Sequence, residues 1–166
     1  MQTNLNNSRI TGLKNIMLMA PIIFILHFLE ESPGFVSWFN GYVDRDISSG
    51  LFWTVNLSGL FICLLVVLVE WASPSLFSSA LTILWLSFLM MANAVFHIIA
   101  AILEAGYVPG LITAILFYIP FYWWVMIKTR KEKKLSVALM ILLALAGALP
   151  MLVHGYRVLF LADRLF

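Results

Sequence analysis

The chain has 166 residues, 63% of them hydrophobic and only 11% charged, with a net charge of +2. A soluble domain of this length could not bury so much apolar surface, and a mean hydropathy of +1.00 places the chain among polytopic membrane proteins. So small a net charge gives no reason to expect a nucleic-acid partner, and the single cysteine, Cys63, lies in an apolar run where it can form no intrachain disulfide.

Five apolar segments follow in chain order, at about 11–31, 49–71, 76–105, 109–128 and 135–160. Each reaches the roughly 20 residues that a spanning helix needs. Backbone polar groups in lipid must be paired within the segment, so these are helices and not strands. The expected fold is therefore all-α, one integral membrane domain of five transmembrane helices. A polar, mildly basic start followed by an apolar run has the outline of a signal peptide. However, His27 interrupts that run, Glu30 and Glu31 follow it, and no A-x-A site appears. The first segment is read as a retained helix, kinked at Pro21. A bend is expected in the fifth at Gly147 and Pro150.

Basic residues set the expected orientation. Lys128, Arg130, Lys131, Lys133 and Lys134 join the fourth and fifth segments. If that loop is cytoplasmic, five crossings put Arg9 and Lys14 inside as well, leaving Arg45, Arg157 and Arg164 outside. The N-terminus is then inside and the C-terminus outside, and a bacterial inner membrane is the expected location. Arg157 is expected to snorkel or to pair with a carboxylate.

With that topology the polar residues of all five helices gather in the outer half of the bilayer. His27, Glu30 and Glu31 stand near the outer end of the first helix, Asn56 on the second, Asn93, His97 and Glu104 on the third, Thr113 on the fourth and His154 on the fifth. His27 precedes Glu30 and Glu31 by three and four residues, the spacing of neighbours on a helix surface. Asn93, His97 and Glu104 fall at 0°, about 40° and about 20° around their helix, on one face with Ala100 and Ala101. Small residues on such a face let another helix approach closely. A lone histidine near a membrane interface is ordinarily a polar residue with a hydrogen bond; three at one depth argue for a shared site.

Imidazole and carboxylate ligands suit zinc, iron or manganese. A divalent cation would also let neighbouring carboxylates remain ionised in low dielectric, and would lower the pKa of a bound water towards ~7. His27, Glu31, His97 and His154 are the expected metal ligands, with zinc or iron as the metal. Glu30 or Glu104 is the expected general base, and Asn93 would orient a ligand or substrate. Asn56 and Thr113 are read as substrate-side or structural groups. The loop after Glu31 carries Phe35, Trp38, Phe39 and Tyr42 among turn residues, either as an interfacial anchor or as a lid over the site.

"HFLEE" at 27–31, "NAVFH" at 93–97 and "YVPGLIT" at 107–113 together resemble the HXXEE family of membrane proteins, with its NxxxH and Y-x-P-G-x-x-T motifs. The resemblance spans about residues 20–120. It implies a small, metal-dependent integral membrane enzyme and supports His27, Glu30, Glu31, Asn93 and His97 as site residues, with Tyr107 to Thr113 as a structural or substrate-side element; Glu104 and His154 rest on spacing alone. A fainter likeness is to the five-helix sterol isomerases of the emopamil-binding type, which work without metal. The expected function is a metal-dependent enzyme, most simply a hydrolase, acting on a lipid-like amphiphile taken from the outer leaflet. The alternatives are a metal-free acid–base isomerase or cyclase, with Trp53 and Tyr107 facing a cation, and a transporter or metal carrier.

Overall fold

The computed structural model describes residues 13–132 and 135–165. Arg9, Lys133 and Lys134, used above for orientation, lie outside the described residues. Five helices are long and apolar enough to cross a membrane: α1 (Leu13–Glu31), α3 (Ser49–Ala72), α4 (Leu76–Glu104), α5 (Leu111–Lys131) and α6 (Val137–Leu161). A short helix, α2 (Phe35–Asn40), follows α1 in the aromatic loop. Among the described residues there is no strand. The described residues thus form an all-helical bundle with five helices of membrane-spanning length, the architecture expected of an integral membrane protein.

Local chemistry sets the helix ends. Ser48, Ser75 and Ser136 cap α3, α4 and α6, each accepting a backbone N–H with its hydroxyl oxygen. Ala105, in the left-handed region at φ 50°, ends α4. Gly110, at φ 91°, delays α5 to Leu111, two residues later than expected from the apolar run. At its other end α5 runs on through Lys128, Arg130 and Lys131, where cations complement the helix dipole. Helix α1 loosens to a turn at Leu18. That is within one turn of Pro21, whose missing N–H removes the bond to the Met17 carbonyl.

Helix α4 is the centre of the bundle. Helix α6 packs along its whole length, while α3 packs against its Leu76–Leu86 half and against α1. The tightest contact explains Gly147: a Cβ there would fall 2.1 Å from the Leu84 carbonyl oxygen. Gly147 thus marks where α6 touches α4, and Pro150 sits within α6 as the helix continues to Leu161. Large apolar side chains such as Phe61, Leu68, Leu142 and Leu145 remain exposed, as a lipid-facing surface requires. One core cluster joins α1, α3, α4 and α5 around Phe24, Phe28, Met90 and Tyr118. A smaller one joins α2, α4 and α6 around Phe39, Phe96 and Met151.

Candidate metal centre

His27 and Glu31 lie one helical turn apart on α1, and both face α4. Their contact is to His97, which is fully buried, as is His27 to within 1%. Glu31 Oε1 stands 3.4 Å from His27 Nε2 and 3.2 Å from His97 Nε2. The two imidazoles meet edge to face with centroids 5.0 Å apart. One ligand atom from each of the three residues falls within 4.8 Å of the other two. Despite these distances neither Nε2 has a hydrogen-bond partner, so the carboxylate oxygen lies off the line along which either nitrogen would donate.

The neighbouring carboxylate has a different task. One residue along a helix is a turn of about 100°, so Glu30 faces α5 while Glu31 faces α4. Gly110 supplies no side chain to cap α5, and Glu30 caps it from the other helix. Its Oε1 accepts from Ile112 N–H at 3.1 Å and from the Tyr107 hydroxyl at 3.0 Å. Its Oε2 accepts from Thr113 N–H at 2.8 Å and from the Thr113 hydroxyl at 2.5 Å. Burial, and then the carboxylate it donates to, raise the Tyr107 phenol above its ordinary pKa, which keeps it a donor. Glu30, read from sequence as a candidate base, has both oxygens engaged with α5.

Thr113 joins the two halves. Its single hydroxyl proton goes to Glu30, and its oxygen stands 2.8 Å from His27 Nδ1. We assign that contact as donation from His27 Nδ1–H, since the hydroxyl proton is already engaged. The lone pair of a neutral His27 then sits on Nε2, towards Glu31 and His97. The backbone of α5 closes the cluster: a Cβ on Gly110 would lie 2.6 Å from His97 Cε1 and 3.0 Å from both Glu31 Cγ and His27 Cε1. The Y-x-P-G-x-x-T segment therefore has a physical reading, with Tyr107 and Thr113 binding Glu30, and Gly110 admitting the two imidazoles.

On its other side Glu31 borders a cavity of about 150 Å³. Asn56 of α3, Asn93 of α4 and His154 of α6 also line it, with five phenylalanines, Phe24, Phe35, Phe39, Phe52 and Phe88. Helix α2 covers the polar end, Phe35 lying 5.7 Å from Phe52 and Phe39 stacking on His154 at 6.2 Å, centroid to centroid. His154, expected among the metal ligands, stands apart from the His27–Glu31–His97 group; its Nδ1 accepts from Leu165 N–H at 3.3 Å. Asn93 Oδ1 is buried without a hydrogen-bond partner, whereas Asn56 Nδ2 donates back to the Phe52 carbonyl of its own helix. Glu104 is exposed and accepts from the Tyr42 hydroxyl at 2.6 Å, outside the cluster. Burial and that carboxylate push the Tyr42 phenol up to about 12. Arg157 pairs with Asp163.

Two features escaped the sequence reading. Tyr118 lies against His27, its ring tilted by 33° at 4.2 Å between centroids, fully buried, with no hydrogen bond to its hydroxyl. It is delivered by a π-helical stretch, Ala114–Tyr118, and a second such stretch, Ser87–Ala92, precedes Asn93 and His97. Such turns re-aim the residues beside them and gather at functional sites. At the other end of the bundle Glu70 is fully buried and accepts from Ser78 Oγ at 2.5 Å, joining α3 to the first turn of α4. Only its position as the one acid in the second apolar segment could have drawn notice to it.

Comparison with known proteins finds a family match over residues 18–125, to the family described as "Protein of unknown function with HXXEE motif". The chain belongs to that family, and the match includes His27, Glu30, Glu31, Asn93, His97 and the whole Tyr107–Thr113 segment. No curated protein and no solved structure matches the chain.

Proposed function

We propose that this HXXEE-family chain is a membrane metalloenzyme in which His27, His97 and Glu31 hold one divalent cation, zinc or iron. Its substrate is a lipid-like amphiphile, and hydrolysis is the simplest reaction the donor set supports. The observation that carries the reading is the convergence of His27 Nε2 and His97 Nε2 on Glu31 Oε1 without hydrogen-bond geometry. Buried ligand atoms this close together are stabilised by a positive charge between or beside them, which a divalent cation would supply. Ligand atoms about 2.0–2.1 Å from a tetrahedral ion stand roughly 3.3 Å apart, close to the 3.4 and 3.2 Å that separate Glu31 Oε1 from the two imidazole nitrogens. Two histidines and a carboxylate are also the donor set of hydrolytic zinc sites and of open iron sites. A cation held there would act as a Lewis acid on a substrate oxygen.

The chain's own residues supply the rest. Glu30 and Thr113 fix the orientation and tautomer of His27, which are positioning roles. The Phe35 and Phe39 rings of α2 keep water from the polar end of the cavity. His154, the titratable group lining the cavity besides Glu31, takes the proton-transfer role that spacing alone gave to Glu30 or Glu104. Asn93 holds the substrate. The site would lie in the outer half of a bacterial inner membrane.

Elemental analysis of protein purified in detergent without chelator tests the centre. About one zinc or iron per chain is expected, with most of it lost in His27→Ala and His97→Ala and the protein still in the membrane fraction. A metal-free wild type would overturn the reading in favour of the acid–base isomerase, for which the five cavity phenylalanines are the supporting observation, since their π faces stabilise cations. Metal without turnover of any amphiphile would favour a carrier.

A further inference from the structure

The cavity beside Glu31 has walls that discriminate among membrane amphiphiles. Among the described residues no lysine or arginine lines it, and the one acidic residue on its walls is Glu31. Phosphate heads are held by arginine, lysine or clustered backbone N–H groups. Even with a divalent cation on the cluster, Glu31 offsets part of that charge, and no cationic side chain among the described residues on these walls is there to pair with an anion. Asn93 is one of the residues lining the cavity, and its Oδ1 is buried with no partner. A buried acceptor of this kind is costly until a donor reaches it. Asn93 therefore fits a head that carries an O–H or N–H.

The shape sets the route. Helix α3 diverges from α4 beyond Leu86, while α6 stays on α4. The cavity fills the gap, with Leu51, Val55 and Asn56 on one wall and Met151 and His154 on the other. Val55 is 43% exposed and forms the rim. Helix α2 covers the polar end, so the rim opens sideways between α3 and α6, onto surfaces that face lipid. About 150 Å³ is room for a guest of roughly benzene size. The head and the first few carbons fit, and the rest of a chain must stay in the bilayer.

We infer that this cavity binds the head of a neutral single-chain amphiphile, a long-chain alcohol or amide, which arrives laterally between α3 and α6 with its tail left in lipid. The inference deepens the function proposed above but reads binding rather than turnover, so the two can fail separately. The test is photolabelling in phosphatidylcholine vesicles. A diazirine-bearing C12 alcohol is compared with the matched alkyl phosphate, on wild type, Val55→Trp and Asn93→Leu, with and without chelator. The alcohol should label peptides containing Val55 and Met151, be displaced by unlabelled dodecanol, and exceed the phosphate at least ~10-fold, a difference of about 1.4 kcal/mol in binding. Val55→Trp, a lipid-tolerant change at an exposed rim, should remove most of the labelling. Asn93→Leu should bring the alcohol down to the level of the phosphate. Equal labelling by the two probes overturns the inference, as does labelling unchanged in both variants. Selective labelling of a protein that holds no metal would keep the cavity assignment and remove the metal centre; a metal-loaded protein labelled indiscriminately would do the reverse.

Discussion

Gly110 lies flat against His97: a methyl group in place of its hydrogen would stand 2.6 Å from the imidazole Cε1. The same carbon would press on His27 and Glu31, so the N-cap residue of α5 sets how closely the three site residues can gather. Glycine is needed there twice, for the space and for φ 91°.

Gly110→Ala should therefore damage the site more than the fold. Overpacking costs about 1–3 kcal/mol, and the positive φ adds about 1–2 kcal/mol. Helix content by circular dichroism should stay near wild type while bound metal falls by most of its value. Gly106→Ala is the control, because its Cβ would meet nothing closer than the Glu104 carbonyl oxygen at 3.7 Å. Full metal occupancy in Gly110→Ala would show that the cluster is not the metal centre.

The Thr113 hydroxyl offers a second test, since Ser keeps it and Val removes it at similar volume. Thr113→Val leaves His27 Nδ1 and one oxygen of Glu30 without their shared partner. Losing such an outer contact typically lowers metal affinity about 10–100-fold. Thr113→Ser should stay within a few-fold of wild type. Competition with a chelator of known affinity gives the numbers. Equal affinity in Val and Ser would refute the assigned tautomer of His27 and the chain from Glu30 through Thr113.

Glu30 and Glu31 are adjacent in sequence but should fail in different ways. Glu31→Gln replaces a charged oxygen that faces two imidazoles, and should abolish most metal binding. Glu30→Gln weakens the cap on α5, a loss of about 0.5–2 kcal/mol. It should lower the unfolding temperature and reduce metal affinity only through Thr113. Thermal unfolding and metal content, measured together on both variants, separate a ligand from an anchor. Equal metal loss in both would make Glu30 a ligand and not an anchor.

The sequence carried much of this in its spacings. Runs of apolar residues located all five spans, because length and hydropathy are what the bilayer demands. His27, Glu31 and His97 were legible from i,i+4 spacing and shared depth. What the spacing cannot carry is which neighbour a helix face meets. That is why Glu30 was read as a base beside the ligand Glu31, although a rotation of one residue sends Glu30 to α5 and Glu31 to α4. Depth alone likewise grouped His154 and Glu104 with the site; His154 lies across a cavity from Glu31, and Glu104 is exposed on Tyr42. Tyr118 was hidden because a π-helical stretch changes the register after Thr113, and α2 because six residues are too few for a periodic pattern to emerge.

Orientation in the membrane is the remaining expectation, and it decides from which leaflet a substrate can come. The basic cluster at Lys128, Arg130 and Lys131 sits at the end of α5 remote from Gly110, and therefore at the opposite end of the bundle from His27 and Glu31. If basic residues stay in the cytoplasm, the cluster and its cavity face the outer leaflet. Ser37 in α2 and Ser136 before α6 are both exposed, and Cys63 is fully buried, so cysteines introduced at the two serines report with little background. In intact cells Ser37→Cys should react with a membrane-impermeant maleimide, and Ser136→Cys should react only after lysis. The reverse pattern would move the site to the cytoplasmic leaflet and leave the five-span fold in place. Labelling of both from outside would contradict the five-span fold, because α3, α4 and α5 would then no longer make an odd number of crossings between them.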